Sequence, residues 1–370
     1  LLDVSKTDDI LNITENLLGI QATGAKEPYI SLFVRSKDFS KPNLDKQLFI
    51  NKNLAKIRGM RNTLFIVPKN LIIPISQATK SLRDNRFEGF FNYTDWEKEK
   101  YYELEKEILN LVAKEEFSAS QIKKKLNSKK SLSLIISLMC DKLLLIRGPP
   151  VKSWKDNRSK YTHFKNYFPN LNFDEMDEQK SIIYLIKRYI ENFGPVTEND
   201  IFWWIGLTKT KIKKALENIR NQIRTIKIKG LELDYLMLES NLNHLNNFED
   251  LGDLTINLLP LLDAYLMSYK DRERFISPKD YQYVFDRSGN ATSTILLEGK
   301  VIGIWDYEEK PPLVKIHLFD QFNQKIVNRI KKLCLSIGEF ILEKKVGFTI
   351  IPEMQTLTKR KAGRFMHPLA

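Results

Sequence analysis

The spacing of apolar positions changes several times along the chain, and the changes come in a repeating order. Over 101–113, Leu104, Ile108, Leu111 and Val112 recur at helical spacing. Ser118 is read as the N-cap of a short helix through Ile122 and Leu126, and Ser131 as the cap of a third helix ending near Asp141. The run 143–146 predicts a strand, Gly148-Pro149-Pro150 a break, and 160–164 the returning strand. Three helices followed by a two-stranded wing is winged-helix order. The order then recurs. A helix is predicted over 177–193, with Ile182, Leu185, Ile186, Tyr189 and Ile190 on one face, and Gly194-Pro195 ends it. Thr197 and Thr208 cap two further helices, the second turning Ile212, Leu216 and Ile219 inward. Strands follow over 223–228 and 231–238, around Gly230. The string starting at Phe117 aligns with the string starting at Val196, so one module is repeated.

The first hundred residues fit a third copy. Helices are predicted over 7–20, 28–35 and 44–50, a strand over 63–67, and a helical connector over 71–100. Beyond the polar, acidic stretch 241–253, short strands are predicted at 294–297, 301–305 and 313–318, with Gly299 in the first turn. A long helix capped by Asp320 then runs to Leu342, with Phe322, Ile326, Ile330, Leu333 and Ile337 toward the core. The expected fold class is α+β: tandem winged helices followed by a C-terminal β-rich α+β domain. The expected division is 1–75, a connector at 76–100, then 101–168, 177–240 and 255–370.

Composition narrows the function. At 370 residues with 42% hydrophobic side chains, the chain has the makeup of several folded domains. Its apolar runs fall well short of the roughly 20 residues that cross a bilayer, and no basic-then-apolar leader is read at its start. Two cysteines, Cys140 and Cys334, form no CxxC, and four scattered histidines give no zinc spacing. The expectation is a soluble, monomeric cytoplasmic protein (nucleoid-associated in a prokaryote) without metal, cofactor or membrane partner.

Charge then selects the partner. The formal net charge is +13, and it is segmental. Residues 118–160 hold eleven basic side chains against two acids, and 209–229 hold eight against one, so these windows carry +9 and +7. Segmental charge focuses a field on a polyanion. Lys123, Lys124, Lys125, Lys129 and Lys130 fall in the first window, and Lys209 and Lys213 lie one turn apart on a predicted third helix in the second. The corresponding helix of the preceding module, Leu132 to Met139, is apolar nearly all round and presents no base-reading side chains. Double-stranded DNA held by its backbone is the expected partner. Arg61, before a strand, and Lys270 and Arg272, in the string Tyr269-Lys270-Asp271-Arg272, are further candidate phosphate contacts. Alternatively, Arg61 forms a salt bridge within a wing, and Asp271 pairs with Arg274 to shape a loop. Phe202-Trp203-Trp204 is read as core packing between modules rather than as a stacking platform. The tail from Lys359 to Arg364 is read as a basic tether or plain disorder.

No P-loop, HExxH or nucleophile triad is present. The chain does carry Leu17-Leu18-Gly19-Ile20-Gln21-Ala22-Thr23, Pro28 to Arg35, Met60-Arg61-Asn62-Thr63-Leu64-Phe65, Asn257 to Tyr265, and Gly299-Lys300-Val301-Ile302-Gly303-Ile304-Trp305. In this order and spacing they resemble the AlkZ/YcaQ-like family of winged-helix DNA glycosylases, over residues 10–342. The resemblance implies three winged helices and a C-terminal β-rich part around duplex DNA. It also implies hydrolysis of the N-glycosidic bond of alkylated or crosslinked purines. The family's catalytic motif, Gln-apolar-Gln/Asp, maps onto Gln21-Ala22-Thr23. Two polar side chains two residues apart on a kinked helix end would hold one water from both sides and aim it at the anomeric carbon. Neither Gln nor Thr is a strong base, which suits a substrate whose cationic purine leaves without an acid's help. Thr23 departs from the motif, so the alternative expectation is a non-catalytic winged-helix DNA-binding relative. Local helix-end bonding of Thr23 is the corresponding structural role.

Both expectations share one outcome. Duplex affinity should drop about a thousandfold between 50 and 200 mM salt if roughly six phosphates are neutralised. A salt titration of binding to labelled duplex would check this, and a flat profile would rule out backbone-held DNA.

Overall fold

The structure is a computed structural model that describes residues 2, 5–246 and 254–357. The tail segment 359–364, the tether expected above, lies outside the described residues, as does part of the acidic stretch 241–253.

In the first unit, Asp9 accepts from the amides of Leu11 and Asn12 and so caps α1 (Ile10–Asn16). The unit continues through β1 (Ile20–Gln21), α2 (Glu27–Phe33), α3 (Lys41–Asp45) with a π-turn at Lys46–Ile50, β2 (Leu54–Arg58) and β3 (Leu64–Pro68). Helices α4 (Ile72–Ala78) and α5 (Lys80–Asn92) connect it to the second unit. That unit comprises α6 (Lys98–Val112), β4 (Phe117–Ser118), α7 (Ala119–Lys125), α8 (Ser133–Asp141), β5 (Leu145–Pro150) and β6 (Ser159–His163), and α9 (Phe164–Tyr167) follows it. The third has α10 (Glu178–Phe193), a single bridge from Val196 to Leu236, α11 (Glu198–Ile205), α12 (Lys209–Asn218), β7 (Ile223–Ile226) and β8 (Tyr235–Leu238), with α13 (Leu242–Asn246) after it.

Each unit joins its first strand to its last: the sheet orders are β1-β3-β2 and β4-β6-β5, and Val196 bridges β8 beside β7. Helix–strand–helix–helix–strand–strand with this pairing is winged-helix connectivity, so the tandem architecture holds. The repeat read between units two and three extends to side chains. Ser118 with Gln121, and Thr197 with Asp200, form capping boxes at matching positions.

Some expected elements differ. The helix expected over 7–20 stops at Asn16, because Leu18 (φ 52°) and Gly19 (φ 106°) turn left-handed and reverse the chain. A Cβ on Gly19 would lie 2.8 Å from Val67 Cγ1, so β1 lies against β3 only because residue 19 is glycine. Gly148-Pro149-Pro150 does not break β5. It lies within β5 at a register shift between Arg147 and Pro150, where the ladder can spare a proline's missing donor. The long C-terminal helix is capped by Asn323, whose side chain accepts from the Ile326 amide, rather than by Asp320.

The C-terminal domain contains β9 (Ile256–Leu259), α14 (Ala264–Met267), α15 (Tyr281–Val284), β10 (Thr294–Leu297), β11 (Lys300–Glu309), β12 (Pro312–Leu318), α16 (Gln324–Leu342) and β13 (Gly347–Ile350). The sheet order is β13-β12-β11-β10-β9, with only the β12–β13 pair parallel. Ile330, Cys334, Ile337 and Ile341 of α16 cover one face, and Ile30 and Val34 from the end of α2 join the same core. The first unit therefore shares a hydrophobic core with the C-terminal domain.

Polar clasps fix the units to one another. Arg35 makes a buried two-pronged pair with Asp263, 2.6 and 2.8 Å, and also donates to Ser31. Asp141, buried at the end of α8, accepts from Arg58 of the first unit (2.7 Å) and from Arg86 of α5. The wing of the second unit sends Trp154 between Tyr29 and Phe340, with ring centroids 5.2 and 5.9 Å away, and its indole N–H donates to Glu343 (3.0 Å). Part of the basic excess in 118–160 is therefore paired with acids outside that window: Lys142 with Glu105 and Lys155 with Glu343.

Removing one partner of the Arg35–Asp263 pair strands a buried charge. Asp263→Ala should lower unfolding stability by about 3–5 kcal/mol, whereas the Arg35→Met/Asp263→Leu double variant should lose much less. Urea midpoints of the three proteins test this.

Candidate active site and nucleic-acid interface

Gln21 stands at the end of an edge strand, not on a helix end as expected. The left-handed pair Leu18–Gly19 turns the chain so that Gln21 lies opposite Phe65 of β3. Its side chain is buried, and Nε2 donates to the Thr63 hydroxyl at 3.2 Å. That hydroxyl donates to the Met60 carbonyl (3.1 Å) and lies 3.4 Å from Gln21 Oε1. One hydroxyl proton cannot serve both acceptors, so Oε1 retains capacity for a further donor such as a water. Thr63, which no sequence pattern marks as a site residue, is thus the residue that orients Gln21. Ala22 still bonds to the Leu64 carbonyl (2.8 Å), and Thr23 lies exposed in the bend beyond. Gln21 and Thr23 are close in the chain but differ in setting: one is locked in the sheet, the other faces solvent. In the sister units the same strand runs directly into its capped helix. Here residues 22–26 intervene before α2, and the motif runs from the end of β1 into that extra loop.

The turn that supplies Thr63 also carries Arg61. Arg61 and Asn62 are both left-handed (φ 49° and 57°). Arg58 donates to the Asn62 carbonyl. Gly206 (φ 78°), at the end of α11, fits against the turn because a Cβ there would come within 2.9 Å of Arg61 Cα. Arg61 is half-buried and lays its guanidinium 4.5 Å from the Trp203 ring centroid. Burial, with neighbouring Arg272 adding to it, pushes its pKa down to about 10. It makes a cation–π contact rather than the wing salt bridge considered above.

Trp203 gathers three cations, with Lys270 Nζ at 5.1 Å and the Arg272 guanidinium at 5.2 Å from the same ring. Its indole N–H donates to the Met267 carbonyl at 3.0 Å. Trp204, by contrast, is buried and stacks on Tyr189 at 4.5 Å. Trp204 is thus core packing, but within its own unit rather than between modules as expected, and Trp203 organises a cationic cluster.

Arg272 and Lys270 separate in role. Arg272 is buried: it donates to Tyr269 O (3.0 Å), Tyr281 OH (2.9 Å) and Gly289 O (2.8 Å), and lies 3.7 Å over the Phe285 ring. Its donors are engaged internally, so the expected phosphate contact at Arg272 gives way to a strut. Lys270 is exposed beside a cavity of about 460 Å³ lined by Trp203, Tyr281, Arg287 and Gly289. Its backbone is pinned by Asp200, which accepts from the amides of Lys270 (2.7 Å) and Asp271 (2.9 Å). Asp271 accepts from Thr197 (2.6 Å), and Arg274 pairs with Asp200 rather than with Asp271. Burial raises the Asp200 carboxyl despite its backbone donors.

The expected lysines stand on other surfaces. Lys123, Lys124 and Lys125 are exposed on α7, and Lys129 and Lys130 in the loop after it. Lys125 lies 4.8 Å from the Phe117 ring and Lys130 5.0 Å from the Trp96 ring. Lys209 and Lys213 are exposed on α12, while Lys211 pairs with Glu178. The structure brings Arg61, Lys270 and Arg272 together around Trp203. Among the described residues, no cluster of three or more His, Cys, Asp or Glu could hold a metal ion, and no helix is long and apolar enough to cross a membrane.

A family model described as DNA glycosylase AlkZ-like matches residues 14–321. Among solved structures, the Streptomyces sahachiroi DNA glycosylase AlkZ superposes with a TM-score of 0.75 at 15% identity, covering 95% of each chain. No curated protein matches. With a family model spanning most of its length, the chain belongs to the AlkZ-like family of DNA glycosylases.

Proposed function

We propose that the protein hydrolyses the N-glycosidic bond of alkylated or crosslinked purines in double-stranded DNA, with Gln21 positioning the water. The hydrogen bond from Gln21 to Thr63 carries this reading, because it fixes the amide and leaves Oε1 able to accept from water. Arg61, on the turn beside Thr63, and Lys270, on the loop pinned by Asp200 of α11 and sharing the Trp203 ring with it, take backbone phosphates near the lesion. Lys123, Lys124, Lys125, Lys129, Lys130, Lys209 and Lys213 add contacts farther along the duplex. A cationic alkylpurine departs as a neutral base, so the reaction needs neither an acid on the leaving group nor a metal or cofactor. The protein acts as a monomer in this scheme. The exposed position of Thr23 favours one alternative, a DNA-binding relative with little or no excision activity.

The assay is release from duplex carrying N7-methylguanine, revealed as alkali-labile sites at saturating protein. Wild type should cleave above spontaneous depurination. Gln21→Ala should lower the single-turnover rate about 100-fold with little change in duplex affinity. Thr63→Val should also slow it, since it frees the amide to rotate. Absence of release by wild type would select the binding-only alternative. Lys270→Ala should leave the saturated rate intact, weaken binding, and reduce the salt slope by about one. An unchanged slope would remove Lys270 from the interface.

A further inference from the structure

The strut formed by Arg272 supports a space that the reaction above does not use. A cavity of about 460 Å³ opens beside Lys270, lined by Trp203, Tyr281, Gln282, Phe285 and the turn 286–289. That volume is far more than one phosphate fills and falls in the roughly 300–1,000 Å³ range of small-ligand sites. Internal bonds fix its walls. Arg272 ties Tyr281 to the turn, donating to the Tyr281 hydroxyl at 2.9 Å and to the Gly289 carbonyl at 2.8 Å. The Tyr281 and Phe285 ring centroids lie 4.8 Å apart. Asp286 folds the turn by accepting from the amides of Ser288 (2.8 Å) and Asn290 (2.9 Å). Gly289 is left-handed (φ 76°), and a Cβ there would come within 2.8 Å of Trp203 Cη2, so glycine lets the turn close on the indole.

That network leaves the polar groups of the rim unused. Lys270, Gln282, Arg287 and Ser288 are exposed. Among the described residues, the Gln282 amide and the Arg287 guanidinium have neither a hydrogen-bond nor an ion-pair partner, and the Lys270 ammonium meets only the Trp203 ring. The carboxylate in the lining, Asp286, is engaged on both oxygens by Ser288 and Asn290. Two free cations, a free amide and three aromatic rings suit a ligand that is flat, hydrogen-bonding and anionic, which is the chemistry of a nucleotide. In a paired duplex the faces and edges of a base are covered, so these groups meet only a base outside the stack. Gln21, Thr63 and Arg61 do not line the cavity, so its occupant is not the nucleotide held at the strand-end glutamine.

We infer that this cavity takes an unpaired nucleotide of the bound DNA, other than the one whose glycosidic bond is cut. Its base lies against the aromatic wall with Gln282 at its edge, and its phosphate meets Lys270 and Arg287. Lys270 then joins this subsite to the Arg61–Trp203 cluster. The inference needs DNA binding but not excision.

The test uses the full chain and two undamaged duplexes of one sequence, one fully paired and one with a single bulged 2-aminopurine. Wild type should bind the bulged duplex about tenfold more tightly, near the low end of what stacking one base contributes. The 2-aminopurine emission should fall on binding as the base meets the rings. Arg287→Ala/Gln282→Ala should bring the affinity ratio to about one. Its paired-duplex affinity and thermal midpoint should stay at wild-type values, since neither side chain has an internal partner. Equal affinities or unchanged emission in wild type overturn the inference. So does a ratio retained in the double variant, because bending at the bulge or ordinary backbone contacts then account for it. Adenosine monophosphate at micromolar concentration should not displace the bulged base, which binds at an effective concentration near millimolar. Displacement would mark a site for free nucleotides and overturn the strand reading. Binding to neither duplex overturns the DNA reading as a whole, whereas a failed ratio leaves the N7-methylguanine result standing.

Discussion

Arg35 and Asp263 are 228 positions apart in the chain, and neither side chain retains appreciable contact with water. A guanidinium in such a place is tolerable only with a carboxylate opposite it in matching geometry, and the two parallel bonds provide that. The pair sits where α2 meets the C-terminal domain, beside the shared core of Ile30, Val34 and the α16 face. Asp263 also caps α14 through the Tyr265 amide, so the clasp fixes the start of the segment that leads to Lys270. On the other side, α2 is the helix that follows the Gln21–Thr23 loop. One ion pair thus sets the relation between the strand-end glutamine and the domain that supplies Lys270 and Arg272.

The charge distribution acquires a clearer meaning from these contacts. A formal excess concentrated in two windows suggests one continuous basic surface. The structure divides the chain's cations into those that hold units together, such as Arg58 on Asp141 and Lys155 on Glu343, and those left in solvent on α7, α12 and the Lys270 loop. The first kind is neutralised and contributes little to an external field. The second kind remains free to attract a phosphate backbone. Around Trp203 the kinds meet: Arg272 is consumed internally, Arg61 is stacked and partly desolvated, and Lys270 is exposed.

Much of the architecture was legible because helices advertise themselves. Ile182, Leu185, Ile186, Tyr189 and Ile190 repeat at a helical period and are all buried on α10, and Ser118 and Thr197 announced two capping boxes. Short strands were harder. Ile20-Gln21 is too brief to show alternation, and its residues continue the apolar pattern of α1, so only a left-handed Leu18 reveals the break. Ile256–Leu259 is buried on both faces, and its strand character comes from pairing with β10. Trp203 and Trp204 are adjacent and identical in type, yet one packs on Tyr189 and the other collects cations. A helix points neighbouring side chains about 100° apart, so Trp204 meets α10 of its own unit while Trp203 meets cations brought by other units.

The sequence by itself determined the repeat, the helices with their caps, the basic windows and the motif that marks the family, because each depends on residues near one another in the chain. Only the tertiary structure decided what the motif faces. It placed Thr63 against Gln21 across the sheet and Arg61 on Trp203 from another unit. Those contacts arise from long-range packing and desolvation, in which a side chain's role is set by whatever distant segment excludes water from it.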